Sequence, residues 1–225
     1  MPARAAVGFA IASAVIHIGY DLALMNSYRL GSFNQVYPIA RGTSPLVVAA
    51  GAYLFVGERL GAVPLAGVAI LAFGLMSLAL SAGRLARPDL PAVGVAVLTG
   101  LTIAAYTIVD GLGVRAAHDP YAYAGLMFGL QGPVFPLIAV TRPARQWPDR
   151  STVRRGLLAG TLLVVAYGTV LWAQSRAPLA EVAAIRETSV IFAALIGMAF
   201  LKEHFGIRRV AAAAVIAAGI VLITV

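Results

Sequence analysis

No cysteine occurs in the 225-residue chain, which excludes a disulfide scaffold and leaves no thiolate for a metal site. Glycine does not recur at every third position, so a collagen-like fibre is excluded as well. Charge is scarce. Only 12% of the residues carry it, against about 25% in soluble domains, and 60% are apolar against about 45–50%. The mean hydropathy is +0.89. Neither a soluble domain nor a disordered chain has this balance, and an all-α polytopic membrane protein does. Acidic residues are scarcest, nine against 17 Lys and Arg, for a formal charge of +8. In a soluble protein that excess would suggest nucleic acid. Here the arginines fall in short breaks between apolar runs, where they set topology and touch lipid headgroups, so no nucleic-acid partner is expected.

Catalytic signatures are missing too. There is no G-x-x-x-x-G-K-[ST] loop, so direct ATP drive is unsupported, and neither H-E-x-x-H nor G-x-S-x-G occurs. His17, His118 and His204 fall on different segments. An enzyme is therefore not expected, nor a metal or other cofactor.

What the chain does have is length of apolar run. A helix needs about 20 apolar residues to cross a bilayer. Eight runs fit: Ala5–Tyr28, Gln35–Val56, Val63–Ala82, Pro91–Val114, Tyr121–Val140, Gly156–Ala173, Ala180–Leu201 and Val210–Val225. The longest connection, Thr141 to Arg155, is rich in arginine and holds no domain, so function lies within the membrane. Arg4 followed by small apolar residues has the look of a signal peptide. His17, Asp21 and the repeat described next speak for a retained helix.

Sliding the chain by 145 residues aligns Arg41–Leu80 with Arg186–Val225 without a gap, and eleven of the forty pairs are identical. The telling matches are Arg41/Arg186, Thr43/Thr188, Ser44/Ser189, Glu58/Glu203, Gly61/Gly206 and Gly74/Gly219, because polar residues are rare here. Each copy holds a helix, an arginine-bearing helix and a closing helix. The second copy has two further helices before this trio, from Pro91 to Val140. Their counterparts are expected upstream of the first copy, so the chain reads as three plus five helices, an incomplete inverted repeat of five-helix units. The expected domains are 1–83 and 91–225. An odd number of helices per unit inverts the second copy, as in many secondary transporters.

The polar cluster, the helix ending in Gly57-Glu58-Arg59-Leu60, the next helix with Gly67 and Gly74, and Leu201-Lys202-Glu203-His204-Phe205-Gly206 in the second copy together resemble the EamA-type ten-helix carriers of the drug/metabolite transporter superfamily. A narrower resemblance is to phosphonate-utilisation-associated membrane proteins. It rests on Val36-Tyr37-Pro38-Ile39-Ala40-Arg41-Gly42-Thr43, Tyr106-Thr107-Ile108-Val109-Asp110-Gly111 and Ile185-Arg186-Glu187-Thr188-Ser189. These resemblances imply a multi-pass protein of the bacterial inner membrane that moves a small organic solute, a metabolite or an anion, with no cofactor.

Ionisable residues inside spans cost about 2.5–3.5 kcal/mol each at mid-helix, so their presence calls for a reason. Arg41 and Arg186 occupy equivalent places in two spans. Either they bind an anionic solute as a pair, or each ties helices together through Asp21, Asp110 or Glu187. Pro38, Gly42 and the Ser44-Pro45 step predict either a half-helix starting at Ser44 or a proline kink. The second copy has Val190 where the first has Pro45, so a break is expected on one side alone. His17 and Asp21, four residues apart, share a helix face as a proton relay or a packing pair. Thr99, Thr102, Tyr106 and Asp110 form one stripe, with Asp110 either a coupling carboxylate or an arginine's partner. Tyr37, Tyr106, Tyr167 and Gln131 are candidate solute contacts. Trp172 is either another or an interface-belt residue. Coupling candidates are His17, Asp21, Asp110 and Glu187. The pairs Gly125/Gly129 and Gly156/Gly160 would permit close helix approach.

The leading expectation is a secondary transporter working by alternating access through a central cavity. The alternative is an accessory membrane subunit that needs a partner chain, or a homodimer. Four basic residues lie in loops on the side of the N-terminus and eleven on the other. That count would place both termini outside, whereas the resemblance implies both in the cytoplasm.

Overall fold

The computed structural model describes residues 4–30, 33–81, 90–141, 149–192 and 207–225. Leu201–Gly206, the latter part of the seventh expected span, and Arg84, Arg87, Arg142 and Arg145 lie outside the described residues. The described chain is helical, with no strand among the described residues. The helices are α1 (Arg4–Leu30), α2 (Phe33–Gly51) running into a π-helical turn (Ala52–Val56), α3 (Ala62–Ser81), α4 (Leu90–Ala117), α5 (Pro120–Gln131), α6 (Val134–Thr141), α7 (Arg150–Gln174), α8 (Leu179–Arg186), α9 (described over 188–192) and α10 (Ile207–Thr224). Five segments are long and apolar enough to span a bilayer: Arg4–Met25, Tyr37–Val56, Leu90–Ala117, Pro120–Thr141 and Arg150–Gln174. Ala62–Leu78 and Val210–Thr224 are shorter apolar helices. The protein is an all-α, multi-pass membrane protein.

Where the boundaries depart from the sequence reading, local chemistry gives the reason. The fifth run is two helices, because Pro133 brings no N–H to the ladder and Gly132-Pro133 forms a turn between α5 and α6. The sixth begins at Arg150 rather than Gly156. Asp149 caps it, accepting from Thr152 N at 3.2 Å, from the Ser151 hydroxyl at 2.6 Å and from the Thr152 hydroxyl. These bonds, Ser151 first, hold the Asp149 carboxyl at about 2, so the cap stays ionised at neutral pH. Helix α5 starts the same way: Asp119 accepts from Tyr121 N and Ala122 N, with Pro120 at the first helical position. The preceding residue, His118, takes a left-handed conformation at φ +56° to end α4.

By contact the chain divides into two compact units, Met1–Ile18 with Val109–Arg176, and Gly19–Ile108 with Ala177–Val225. Helices α1 and α4 each contribute to both. In the second unit α3 lies against α2 and α10, around fully buried Val68, Leu71, Leu75 and Ile216. Lipid tails are as apolar as leucine, so this packing depends on backbone approach more than on water exclusion. A Cβ on Gly219 would sit 2.6 Å from Leu71 N and 2.8 Å from Gly67 O, and one on Gly74 would sit 3.0 Å from Ile216 N. The pairs Gly125/Gly129 and Gly156/Gly160, expected to serve this purpose, face open space instead. In the first unit, Ala6 and Ala10 of α1, Val114 of α4, Tyr123 and Met127 of α5 and Leu171 of α7 make the core.

Substituting Gly219→Leu drives a side chain into the α3 backbone and is expected to cost about 1–3 kcal/mol, read as a fall in melting temperature in detergent. Gly160→Ala meets nothing and is expected to be neutral or stabilising by up to about 1 kcal/mol. His118→Gly relieves the left-handed penalty and is expected to raise stability by about 1 kcal/mol in the same assay.

Candidate functional site

The second unit carries a charged cluster. Arg41 stands midway along α2, with Pro38 and Pro45 both inside the same helix. The helix continues through both, so the expectation of a half-helix starting at Ser44 is not met. Ser44 is not a cap. It is fully buried and its hydroxyl makes no hydrogen bond. Pro45 has no N–H, so the Arg41 carbonyl lacks its usual acceptor role in the ladder.

The break falls in the other arginine-bearing helix instead. Helix α8 ends at Arg186, Glu187 donates its N–H back to Ala184 O at 3.0 Å, and Val190 N returns to Glu187 O at 3.0 Å. These i to i−3 bonds tighten one turn before α9 resumes. No proline or glycine lies between Leu179 and Phe192, so the sequence carried no backbone signal for it.

At that tightened turn Glu187 is fully buried. Arg41 Nη1 donates to both of its oxygens, at 3.1 and 3.4 Å, and Arg186 Nε lies 3.7 Å from Oε1. Of the three candidate acids, Glu187 is the one that meets both arginines. The Arg41 side chain keeps 22% of its surface accessible and Arg186 13%. Tyrosines flank both guanidinium groups: Arg41 lies 5.2 Å from the Tyr37 ring, Arg186 6.0 Å from Tyr106, and Tyr20 packs edge-on to Tyr106. Asp21 is half-buried on the same unit's part of α1.

The first unit holds a second polar centre. Asp110 is fully buried and accepts from the Tyr123 hydroxyl at 2.9 Å and the Tyr167 hydroxyl at 2.5 Å. His17 Nδ1 lies 3.0 Å from the Ser13 carbonyl and 3.1 Å from its hydroxyl. Nδ1 is thus occupied by Ser13 in either tautomer, as donor to the carbonyl or as acceptor from the hydroxyl, which leaves Nε2 as the other exchange position. The His17 ring stands edge-on to Tyr167 at 5.4 Å.

The expected α4 stripe divides accordingly. Thr99 and Thr102 turn their hydroxyls to carbonyls of their own helix, Tyr106 joins the arginine cluster, and Asp110 joins the tyrosines of the other unit. Gln131, at the end of α5, has a buried Oε1 with no hydrogen bond. Trp172 is 41% exposed with Arg176 over its ring at 4.6 Å, which fits the interface-belt reading. Glu58 accepts the Leu179 N–H at 2.7 Å, capping α8 with a negative charge. Tyr123 and Ser13 were missed by sequence reasoning. Both sit in α-helical apolar surroundings where one more hydroxyl carries no periodic signal.

The profile of the EamA-like transporter family matches residues 90–225, more than half of the chain. The chain belongs to the EamA-like transporter family. No curated protein matches it in sequence. A solved structure described as "Crystal structure of protein" is similar over 98% of this chain and 87% of its own, with a TM-score of 0.74 and 17% identity, a likeness of fold. This EamA-like chain is accordingly a membrane transporter of the drug/metabolite superfamily.

Breaking the pair on one side strands a buried charge. Arg41→Leu and Glu187→Leu are each expected to destabilise this EamA-like protein by about 3 kcal/mol, with Arg41's partial exposure moderating the loss. The double variant is expected to cost clearly less than their sum, as measured by a double-mutant cycle of melting in detergent.

Proposed function

We propose that the chain is a secondary carrier of the bacterial inner membrane that moves a small organic anion by alternating access. Arg41 receives the anionic group beside Arg186, and Tyr37 and Tyr106 wall the organic part. The observation that carries this reading is the state of Arg41. It lies in a membrane-spanning helix, its bonds to Glu187 run through Nη1 alone, and 22% of its side chain remains accessible. A guanidinium so placed faces a water-filled space, because lipid does not solvate it. Its remaining donors suit a carboxylate or phosphonate, which a planar fork binds through paired hydrogen bonds. Glu187 holds the fork in place without saturating it.

A second reading, an accessory subunit or homodimer, is favoured by α7, where Leu157, Leu158, Leu162 and Val165 are each more than 60% exposed. The two separate by reconstitution. The purified chain alone in proteoliposomes is expected to accumulate a labelled small monocarboxylate or alkylphosphonate in preference to uncharged and cationic analogues. Arg41→Gln is expected to raise the half-saturating concentration about 10- to 100-fold, the loss of one charge-assisted interaction, with Arg41→Lys between. Flux indifferent to Arg41→Gln would overturn the anion site. Flux appearing only with a second chain would support the accessory reading.

A further inference from the structure

We propose that Asp110, with Tyr123, Tyr167 and His17, forms a proton-binding site separate from the arginine cluster, and that its protonation is the coupling step of the carrier. The second half of this statement rests on the transport reading; the first does not.

The argument begins with what surrounds the carboxylate. Asp110 is fully buried, in a span where an isolated charge is costly. From α5 the Tyr123 hydroxyl reaches Oδ1, and from α7 the Tyr167 hydroxyl reaches Oδ2. From α1 the His17 ring stands edge-on to the same Tyr167 at 5.4 Å, with Ser13 on its Nδ1. On its own helix the neighbouring polar groups are otherwise engaged. Thr107 donates to the Ile103 carbonyl, and Arg115 Nε donates to the Gln174 carbonyl. The ionisable ring beside this cluster is therefore an imidazole, which can exchange a proton, and no guanidinium hydrogen-bonds Asp110 among the described residues. This distinguishes it from Glu187, which is held by a guanidinium.

The donor pattern adds direction. A phenol stands at hydrogen-bond distance from each oxygen, 2.9 and 2.5 Å, which gives an ionised carboxylate two donors and a protonated one a donor and an acceptor. A proton arriving on Oδ2 makes that oxygen a donor, and the Tyr167 hydroxyl must turn from donating to accepting. His17 Nδ1 is engaged by Ser13 in either tautomer, so Nε2 is the ring position left for exchanging a proton. The cluster thus exchanges one proton with no change in its heavy-atom framework. It removes a negative charge from the bilayer interior when it does so.

The test is infrared difference spectroscopy of the full chain in lipid nanodiscs, titrated from neutral into acid without any solute. The carbonyl stretch of a protonated carboxylic acid is expected to grow in with one titration step that Asp110→Asn removes. Tyr167→Phe and Tyr123→Phe each delete a donor to the ionised form and are expected to move that step to higher pH by about one unit or more. These two variants keep the rings and carry the test if Asp110→Asn does not fold, with melting temperature checked for each. An acid titration identical in wild type and Asp110→Asn, or a step unmoved by both Phe variants, overturns the site. For coupling, wild-type proteoliposomes containing a pH dye are expected to show solute-linked proton flux that Asp110→Asn abolishes. Solute flux indifferent to the proton gradient overturns coupling while leaving the carrier reading intact. If no solute moves at all, the infrared titration alone still decides the proton site.

Discussion

Within a bilayer there is no water to hydrate a charge, so each ionised group must find its counter-charge and its hydrogen bonds inside the protein or at an aqueous cavity. The Arg41–Glu187 pair is where this constraint acts most strongly. A fully buried carboxylate draws a guanidinium from α2 and lies beside a second guanidinium from its own helix. The helix α8 stops where that carboxylate stands, and α2 threads its arginine between two prolines to reach it. The tightened turn at Glu187 and the tyrosines beside both guanidinium groups lie around these charges.

Away from the charges, the second unit is held by proximity of backbones. Gly67 and Gly219 bring α3 and α10 so close that a methyl group would overlap main-chain atoms, which lets dispersion act over the whole crossing. The first unit uses larger side chains. Tyr123 is both a core element, beside Met127 and Leu171, and a donor to Asp110. One residue therefore fills volume and satisfies a polar group.

Much of this was legible in the residues because polarity is so rare in the chain. Arg41, Arg186, Glu187, Asp110 and His17 stand out against apolar neighbours, and insertion cost alone marks them. Gly74 and Gly219, related by the 145-residue shift, both proved to lie where helices touch. What could not be read was partner choice across sequence distance. Tyr123 and Ser13 look ordinary in their own helices, and their importance comes from meeting Asp110 and His17 respectively. The start of α7 was misjudged because a run of arginines reads as a loop, while the decisive group was one aspartate before it. The same limit hid the end of α8, since a helix can stop for the sake of a side chain with no proline or glycine present.

The hydrogen-bond ladders of the two arginine-bearing helices are therefore interrupted by different means. In α2 the interruption is covalent: a pyrrolidine ring cannot donate a hydrogen bond under any condition, so the gap at the Arg41 carbonyl is permanent. Between α8 and α9 every residue retains a backbone N–H, and the tightened turn has all it needs to become ordinary α-helix again. One arm is a fixed bracket, and the other keeps every backbone donor that a regular helix would use.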